Sequence, residues 1–370
     1  MNDQAYMTRA LELAERGRYS THPNPRVGCV IVRDGQIAGE GWHERAGEPH
    51  AEIHALRMAG DKARGATLYV TLEPCSHHGR TGPCAEAIVA AGVSRVVAAM
   101  GDPNPLVSGR GLGILQGAGI EVSCGLLEEQ AMALNRGFIR RMKTGLPYVI
   151  AKLAMSLDGR TAMASGESQW LTGAQARAEV QALRAACGTV VSGAGSVLHD
   201  GSRLTVREGE LAIADPRLRA LAAAKQPLRV LVDGRLRVPL DAPFFGAGPA
   251  LVASAQADRQ AEYQAAGHEL LDLPSAEQPG RVDLQALLRE LAGRGANEVL
   301  LETGAGLAGA FARQQLIDEY QLFVAPRLLG SSARPLLDWP LQCLVEAPTL
   351  RINSVTAIGD DWRVVATPAS

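Results

Sequence analysis

One histidine, two cysteines and one glutamate in the first quarter of the chain could form a hydrolytic metal site. His50-Ala51-Glu52 is followed by Pro74-Cys75 and Pro83-Cys84. An imidazole and two thiolates are good zinc ligands, and three protein ligands leave the fourth coordination position open for water. Glu52 would lie beside that water as a general acid/base and would not be a ligand. The pattern therefore predicts zinc bound by His50, Cys75 and Cys84, with Glu52 as the catalytic residue.

The spacing of the two cysteines is longer than in the zinc-deaminase signature, in which H-x-E is followed by P-C-x-x-C. Eight residues separate Cys75 from Cys84, and their two glycines and one proline exclude a continuous helix. The two thiolates must therefore converge through a loop. Two histidines of that loop, His77 and His78, have diverging side chains, so we expect one to line the pocket and the other to face solvent. A lone cysteine is more often a small buried hydrophobe, but the joint pattern favours a metal site.

Short strand-like and helical runs alternate over the first 145 residues, which predicts an α/β layer architecture. Residues 27–32 and 37–42 flank an Asp-Gly pair and predict a hairpin. A helix is expected to follow Pro49, with His50 and Glu52 in its first turn. A strand over 67–72 delivers Cys75 at its carboxyl end, where α/β sheets usually place ligands. Both halves of the metal motif are thus predicted to meet at one edge of the sheet.

Asn24 lies just before the first predicted strand, in the run from His22 to Gly28. Its carboxamide has the donor and the acceptor needed to hold the edge of a heterocycle. A turn role is an equally good interpretation of an asparagine between two prolines. We take Asn24 as a candidate substrate-binding residue.

The size and composition favour an ordinary two-domain enzyme. A chain of 370 residues exceeds the length at which one core stops growing. A net charge of −2 gives no basic footprint for a long nucleic acid, so small phosphorylated ligands are the expected partners. We find no signal peptide and no apolar run that could span a membrane, and the six cysteines do not resemble a disulfide framework. A cytoplasmic enzyme without a membrane partner, which we expect to be a homo-oligomer, is the prediction.

The domain boundary is predicted where a helical run over 127–143 meets Thr144-Gly145-Leu146-Pro147, because glycine ends helices and proline cannot extend them. This gives domains 1–145 and 146–370. Strands are predicted at 148–154, 189–192, 229–233 and 298–302, alternating with helices. Surface connections are predicted at 215–227 and 274–281.

A glycine-rich segment follows the strand at 298–302. Gly304, Gly306 and Gly309 form G-x-G-x-x-G at the start of a helix, so backbone N–H groups there could bind a phosphate. A Rossmann fold is disfavoured, because the next strand region, 321–329, has no acidic residue. A tight turn that allows close packing is the alternative role for these glycines.

Three segments, 21–30, 47–52 and 71–81, carry a resemblance to a known family. They resemble the bifunctional deaminase-reductases of bacterial riboflavin biosynthesis, and the similarity spans nearly the whole chain. The resemblance implies a cytidine-deaminase-like three-layer α/β/α domain followed by a dihydrofolate-reductase-like α/β domain. It implies zinc-dependent deamination of a diaminopyrimidinone ribosyl phosphate, then NADPH-dependent reduction of the ribosyl group to ribityl. It also matches His50, Cys75 and Cys84 to the zinc ligands and Glu52 to the proton shuttle.

The same resemblance implies roles for residues of the second half, through segments 152–160, 166–172 and 204–207 and the glycine loop. The residues implied to hold the substrate are Ser168, Arg184, Leu204, Arg207 and Glu302. Those implied to hold NADPH are Ala154, Trp170, Ser196, Asp200, Thr303, Gly304, Ala305, Gly306, Leu307, Ala308 and Gly309. Arg184 and Arg207 could pair with a ribose phosphate, although a surface ion pair is the commoner role of a single arginine.

The chain departs from the family pattern at three places. Thr81-Gly82-Pro83-Cys84 replaces Thr-Pro-Pro-Cys, and 199–202 reads His-Asp-Gly-Ser where Ala-Asp-Asp-Pro is common. Asp233-Gly234 replaces Asp-Ser, which removes a hydroxyl that could contact the cofactor. Two alternatives stay open: a deaminase with a non-catalytic second domain, and a nucleic-acid base deaminase, which would need a basic groove. No tyrosine or histidine is identified as the proton donor of the reduction.

Overall fold

Two units, Met1–Leu146 and Pro147–Ser370, make up the chain in this computed structural model. The structure describes residues 2–76, 82–105 and 107–369. His77 and His78, for which the sequence predicted different environments, lie outside the described residues. The division falls one residue after the position that we inferred from the sequence.

The first unit is built on one five-stranded sheet in the order β2-β1-β3-β4-β5. Strand β1 is antiparallel to β2 and β3, whereas β3, β4 and β5 are parallel. The described helices and strands are α1 (Asp3–Glu15), β1 (Gly28–Arg33), β2 (Gln36–Trp42), α2 (Ala51–Ala59), β3 (Thr67–Val70), α3 (Cys84–Ala91), β4 (Arg95–Ala98), α4 (Arg110–Gly117), β5 (Glu121–Cys124), α5 (Glu128–Leu134) and α6 (Arg136–Thr144). The predicted hairpin is β1–β2, and the predicted helix after Pro49 is α2.

Helix α2 packs directly on strand β2 because two glycines of the strand leave room for it. A Cβ atom at Gly39 or Gly41 would overlap the carbonyl oxygen of Ala55 or Ala51. Small alanine side chains on the helix complete this close approach, and Ala51 and Ala55 are fully buried. The packing fixes the N-terminus of α2, where the predicted metal ligand and catalytic glutamate lie.

The helical run predicted over 127–143 is confirmed, but it contains two helices, α5 and α6, which are separated at Asn135. The Asn135 side chain is bonded to a distant backbone segment: its Oδ1 accepts from the Arg26 N–H at 2.8 Å, and its Nδ2 donates to the Arg26 carbonyl at 2.9 Å. These tertiary hydrogen bonds replace helical continuity. They also anchor the segment that carries Asn24.

The second unit is built on a nine-stranded sheet in the order β11-β10-β9-β8-β12-β6-β13-β16-β15, with a separate β7–β14 pair. Along this order, every pair of neighbouring strands from β11 across to β13 is parallel. Strand β16 is antiparallel to both of its neighbours, β13 and β15. The described helices and strands are β6 (Tyr148–Ser156), β7 (Arg160–Ala162), α7 (Ala174–Cys187), β8 (Thr189–Gly193), α8 (Ala194–Asp200), α9 (Pro216–Ala224), β9 (Leu228–Val232), β10 (Leu251–Ser254), α10 (Gln260–Ala265), β11 (Glu269–Asp272), α11 (Leu284–Gly293), β12 (Glu298–Glu302), α12 (Ala305–Arg313), β13 (Glu319–Ala325), β14 (Arg334–Pro335), β15 (Leu350–Ile358) and β16 (Asp361–Pro368).

The surface connection predicted at 215–227 is wrong, because it contains helix α9. Asp215 caps the helix through hydrogen bonds from the backbone N–H groups of Arg217 and Leu218, and Pro216 occupies the first turn. An acidic N-cap followed by proline and an alanine-rich run is a helix-start signal. The stretch 274–281 contains no helix or strand in the structure, and only a single bridge closes it, between Pro274 and Val282.

Among the residues that the structure describes, no helix has both the length and the apolar character needed to cross a bilayer.

Candidate functional site

The three predicted metal ligands converge in the first unit. His50 is the N-cap of α2, Cys84 opens α3, and Cys75 follows β3. The Nδ1 atom of His50 lies 3.5 Å from Cys75 Sγ and 3.3 Å from Cys84 Sγ, and all three donor atoms lie within 4.8 Å of one another. Tetrahedral zinc with ordinary Zn–N and Zn–S bonds would hold such atoms about 3.5 Å apart. The donor set and its spacing therefore fit zinc.

The surroundings of the two thiols favour deprotonation of Cys75 and oppose deprotonation of Cys84. Hydrogen bonds to Cys75, the stronger one from the Cys84 thiol and the weaker one from the His50 ring, hold the pKa of the Cys75 thiol below its usual range. The backbone N–H of Cys84, at the start of α3, also donates to Cys75 Sγ at 3.3 Å. The adjacent Cys75 and burial raise the pKa of Cys84. A bound dication would stabilise both thiolates at once.

Glu52 is a buried carboxylate beside this donor set. It is only 3% exposed, and its Oε2 atom has no hydrogen-bond partner in the described part of the chain. Burial raises its pKa to about 7, against the opposing effect of the His50 charge. A carboxyl group with such a pKa can both take up and release a proton near neutral pH.

His43 contacts two of the predicted site residues, Asn24 and His50, and the sequence analysis did not identify it. Its Nε2 lies 3.1 Å from Asn24 Nδ2, its Nδ1 lies 3.3 Å from the Pro49 carbonyl, and its ring meets the His50 ring edge-on at 5.2 Å. Burial, followed by the His50 charge, lowers its pKa to about 4, so the ring is neutral. The network then assigns Nδ1–H as the donor to Pro49 and Nε2 as the acceptor from Asn24. His43 thus fixes Asn24 beside the metal site.

Glu73, for which the sequence predicted no role, holds the loop after β4. Its two carboxylate oxygens accept backbone N–H groups from four residues of that loop and the start of α4, at distances of 2.9–3.4 Å: Asp102, Gly109, Gly111 and Leu112. Glu73 is 3% exposed and lies two residues before Cys75. The buried carboxylate therefore ties the Cys75 segment to the loop that follows β4.

In the second unit, a cavity of about 1290 Å³ lies at the carboxyl ends of β8, β9 and β12 and beside β6. It is larger than a typical small-ligand pocket, so a cofactor and a substrate could share it. The predicted residues that line it are Ala154, Ser168, Trp170, Arg184, Ser196, Asp200, Leu204, Arg207, Glu302, Thr303, Gly304, Ala305, Gly306 and Leu307.

Two residues of the predicted cofactor loop are not among the described residues that line this cavity. The Ala308 side chain is fully buried, and a Cβ atom at Gly309 would overlap the Asp338 carbonyl oxygen. Gly309 therefore has the close-packing role that was the alternative for these glycines. The part of the loop that lines the cavity is 303–307.

Hydroxyl groups join the glycine loop to the start of α8. The backbone N–H of Gly304 donates to Ser196 Oγ at 2.8 Å, and the N–H of Gly193 donates to Thr303 Oγ1 at 3.1 Å. Gly304 is the N-cap of α12, whose first N–H groups have no helical partner. The arrangement suits an anionic group such as a pyrophosphate.

Arg184 and Arg207, which the sequence predicted to bind a phosphate, are both paired with carboxylates of the chain. Arg184 makes two 2.8 Å contacts to Glu302 and a third hydrogen bond to the Thr205 carbonyl. Burial raises the pKa of Glu302, but the Arg184 charge and hydrogen bonds outweigh it and bring that pKa to about 2. Arg207 makes two 2.5 Å contacts to Glu210. Arg184 thus orients Glu302 in the cavity wall.

Lys152 is a third residue to which the sequence analysis assigned no role. It lies in the middle of β6 and lines the cavity, with the charges of Glu302, Arg184 and Asp200 acting on its ammonium group. Burial lowers its pKa, and Glu302 opposes that shift. A lysine within an otherwise apolar strand was the signal that could have identified it.

Positive charge is concentrated in this cavity although the chain has a net charge of −2. Among the described residues, the Lys and Arg side chains that line it are Lys152, Arg177, Arg184, Arg203, Arg207, Arg235, Arg237, Arg281, Arg313 and Arg334. The carboxylates among the described lining residues are Asp200, Glu302 and Asp338. Such a cavity attracts ligands with several phosphate groups.

Comparisons with known proteins match both units. The family model for the RibD C-terminal domain matches residues 147–364, and the model for the cytidine and deoxycytidylate deaminase zinc-binding region matches residues 1–100. The riboflavin biosynthesis protein RibD of Escherichia coli (strain K12) is 52% identical over 363 residues, which cover 98% of each chain. That of Haemophilus influenzae is 45% identical and covers 99% of this chain and 97% of its own.

Solved structures match over the same length. A structure of Acinetobacter baumannii RibD has a TM-score of 0.91 at 47% identity and covers 100% of this chain and 99% of its own. A Thermotoga maritima protein, described as a diaminohydroxyphosphoribosylaminopyrimidine deaminase/5-amino-6-(5-phosphoribosylamino)uracil reductase, has a TM-score of 0.85 at 33% identity and covers 99% and 98%.

The class defined by the fold and the sites is a zinc-dependent deaminase joined to a reductase that uses a nicotinamide cofactor. The chain belongs to the RibD family, the bifunctional deaminase-reductases of riboflavin biosynthesis. The fold class and the two enzymatic activities predicted from the sequence are confirmed.

Proposed function

We propose that the chain deaminates 2,5-diamino-6-ribosylamino-4(3H)-pyrimidinone 5′-phosphate and then reduces the ribosyl group of the product to ribityl with NADPH. The observation that carries the proposal is the buried Oε2 of Glu52, without a partner in the described chain, beside three donor atoms that fit zinc. The Thermotoga maritima relative, a diaminohydroxyphosphoribosylaminopyrimidine deaminase and 5-amino-6-(5-phosphoribosylamino)uracil reductase, supports this substrate.

In the deaminase site, His50, Cys75 and Cys84 would hold zinc. The bound metal would act as a Lewis acid that makes water nucleophilic at neutral pH. Glu52 takes the proton of the attacking water on Oε2 and passes it to the amino nitrogen, which leaves as ammonia. Asn24, held by His43, binds the edge of the pyrimidinone ring through its carboxamide. The neutral His43 ring accepts the Asn24 Nδ2–H and so keeps the carboxamide in one orientation during the reaction.

In the reductase site, a bound nicotinamide cofactor would supply the hydride that reduces C1′ of the ribosyl group. The C1′–O4′ bond breaks, and O4′ takes a proton to become a ribityl hydroxyl, a proton that Lys152 can give because burial lowers its pKa. Glu302, fixed by Arg184, can accept hydrogen bonds from the sugar hydroxyls. We assign Ser168, Leu204 and Arg207 to the substrate as well.

We assign cofactor binding to Ala154, Trp170, Ser196 and Asp200 and to the loop 303–307, all of which line the cavity. The N-terminus of α12 at Gly304 would receive the pyrophosphate. The basic lining of the cavity supports NADPH, which carries one phosphate more than NADH.

The test is to supply wild type and a Glu52→Gln variant with the diaminopyrimidinone and, separately, with 5-amino-6-(5-phosphoribosylamino)uracil, and to follow NADPH absorbance and ammonia. We expect wild type to consume NADPH with either compound. The variant should release no ammonia and should consume NADPH only with the uracil compound. Ammonia release by wild type without NADPH consumption would contradict the reductase half and leave a deaminase with a non-catalytic second unit.

We also propose small molecules as the partners, and neither nucleic acid nor a membrane. The net charge of −2 and the concentration of basic side chains inside the cavity support a compact polyanionic ligand. The measurement is competition by single-stranded DNA: inhibition of deamination at micromolar DNA would contradict the proposal.

We further propose that the chain forms a homo-oligomer and that it acts in the cytoplasm. Ile352, Val355 and Trp362 on β15 and β16 are each at least 50% exposed, which supports burial of this hairpin against a second copy. All six cysteines are free thiols, which supports a reducing compartment. Light scattering after size exclusion tests the first point, since a monomer at micromolar concentration would exclude it. Cell fractionation tests the second, since recovery outside the cytoplasm would exclude it.

A further inference from the structure

Three arginines at one end of the reductase cavity have no role in the reaction proposed above. Arg235 and Arg237 lie in the turn after β9, and Arg281 closes the loop 274–281. All three are exposed and line the cavity. The two segments touch, because a Cβ atom at Gly234 would lie 2.5 Å from the Gly280 carbonyl oxygen, and one at Gly280 would lie 3.4 Å from Arg235 Nε.

The turn after β9 presents its arginines to the cavity because the residues that alternate with them are anchored in the core. Leu236 and Val238 are buried, and the Arg259 guanidinium donates to the Leu236 carbonyl. Arg235 and Arg237, in the alternate positions, are therefore directed outward. Two backbone hydrogen bonds hold the loop that carries Arg281: the Ser275 N–H donates to the Arg281 carbonyl, and the Arg281 N–H donates to the Gln278 carbonyl.

The acidic residue of this turn faces away from the cavity. Asp233 is 1% exposed, its Oδ2 accepts the Val238 N–H at 2.8 Å, and it is not among the described residues that line the cavity. Its Oδ1 lies 3.8 Å from Arg237 Nε, which is a weak contact to one of the three guanidinium groups. A carboxylate at the end of such a strand would bind the two free ribose hydroxyls of NADH, whereas arginine accommodates a 2′-phosphate.

The order of strands places these arginines on one side of the phosphate-binding loop and the reaction centre on the other. Loop 303–307 follows β12, whose neighbours are β8 and β6, and β9 is the next strand beyond β8. Lys152 on β6 lies on the opposite side. Since neighbouring strands are about 5 Å apart, the turn after β9 lies on the order of 10 Å from the loop. A dinucleotide whose pyrophosphate binds at the loop would therefore extend its nicotinamide toward β6 and its adenosine toward β9.

We infer that Arg235, Arg237 and Arg281 bind the 2′-phosphate of the adenosine moiety and select NADPH over NADH. The inference rests on the proposed use of NADPH. A serine at position 234 would displace Gly280, because its Cβ atom would lie 2.5 Å from the Gly280 carbonyl oxygen. The guanidinium groups that line this end of the cavity can make the bidentate contacts that a phosphate accepts.

The experiment compares wild type with Arg235→Gln, Arg281→Gln and the Arg235→Gln/Arg237→Gln/Arg281→Gln triple variant. Arg289→Gln is the matched control, because Arg289 is exposed on α11 and is not one of the described lining residues. The measurements are KM and kcat for NADPH and for NADH, KM for the uracil substrate, and binding of adenosine 2′,5′-bisphosphate against 5′-AMP by calorimetry. We expect each single substitution to raise KM for NADPH about tenfold and to leave kcat, KM for NADH and KM for the substrate unchanged.

Wild type should bind adenosine 2′,5′-bisphosphate more tightly than 5′-AMP, and the triple variant should not distinguish them. A wild-type preference for the 2′-phosphate that survives the triple substitution would overturn this inference and leave the proposed function intact. Equal binding of the two nucleotides by wild type, with equal use of NADH and NADPH, would overturn the cofactor proposal together with the inference. A rise in KM for the uracil substrate in place of NADPH would overturn the inference too, since it would show that the arginines bind the substrate phosphate.

Discussion

Lys152 shows how the character of a single residue depends on its surroundings. On an exposed strand it would be an ordinary cation, but here it lines a cavity beside Glu302 and Arg184, and burial lowers its pKa. A lysine that releases its proton more readily than usual can act as a general acid toward the ring oxygen that leaves C1′. The Glu302 charge opposes this lowering of the Lys152 pKa.

We expect Lys152→Met to lower kcat for NADPH oxidation by about 100-fold or more, since general acids contribute on the order of 10²–10⁴ in rate. Ammonia release should stay at the wild-type rate, because the deaminase site lies in the other unit. Lys152→Arg is the matched control: arginine keeps the positive charge but does not release a proton. The Lys152→Arg variant should therefore have a KM near the wild-type value and a kcat as low as that of Lys152→Met. A Lys152→Arg variant with wild-type kcat would show that charge, and not proton transfer, is what the position supplies.

The residues that could be predicted from the sequence are those whose types are rare in combination. His50, Glu52, Cys75 and Cys84 could be assigned because an imidazole, a carboxylate and two thiols at this spacing have few other uses. His43 could not, because its role depends on hydrogen bonds to Asn24 and Pro49 that only the fold creates. Arg184 looked like a phosphate ligand, since nothing in the sequence places it opposite Glu302, 118 residues away.

The element that matters most for the deaminase site is α2, whose N-terminus carries His50 and Glu52. It can lie against β2 because Gly39 and Gly41 have no side chains, and any Cβ atom there would overlap helix backbone. The position of the Glu52 carboxylate is thus set by two glycines in β2. This close approach explains glycines that would otherwise weaken a strand.

We expect Gly41→Ala to push α2 away from the sheet. Overpacking of this kind costs about 1–3 kcal/mol of stability, and displacement of His50 and Glu52 should lower deaminase turnover at least tenfold. Gly113→Ala in α4 is the matched control, since a Cβ atom there would meet nothing within 4 Å. It should be neutral or raise the free energy of unfolding by up to about 1 kcal/mol. Thermal unfolding, zinc content and ammonia release measure the three effects, and full activity of Gly41→Ala would contradict the packing argument.

Elements with a local signal were predicted well, and those set by distant contacts were not. The hairpin of β1 and β2 follows from its Asp-Gly turn, and β12 with its glycine loop follows from an apolar run and a helix start. The break between α5 and α6 could not be predicted, because it depends on hydrogen bonds from Asn135 to Arg26, 109 residues earlier. Helix α9 had a local signal in Asp215-Pro216, which we interpreted as a loop.

At the scale of the whole molecule, each site lies entirely within one unit. The donor atoms of His50, Cys75 and Cys84 belong to the first unit, and every described residue that lines the reductase cavity belongs to the second. Each unit also has its own buried core, around β1 and β3 in the first and around β8 and β9 in the second. A lesion in one site should therefore leave the chemistry of the other site intact.

This independence predicts that two differently damaged chains complement each other. A Glu52→Gln chain should lack deamination but keep reduction, and a Lys152→Met chain should lack reduction but keep deamination. Mixed in equal amounts with the diaminopyrimidinone and NADPH, they should restore NADPH oxidation, because the deaminated product can leave one chain and reach the cavity of another. A lag before NADPH loss, shortened by more of the Glu52→Gln chain, is the expected time course. Each variant alone is the control, and a mixture that releases ammonia but never oxidises NADPH would mean that the intermediate must pass within a single chain or a fixed assembly.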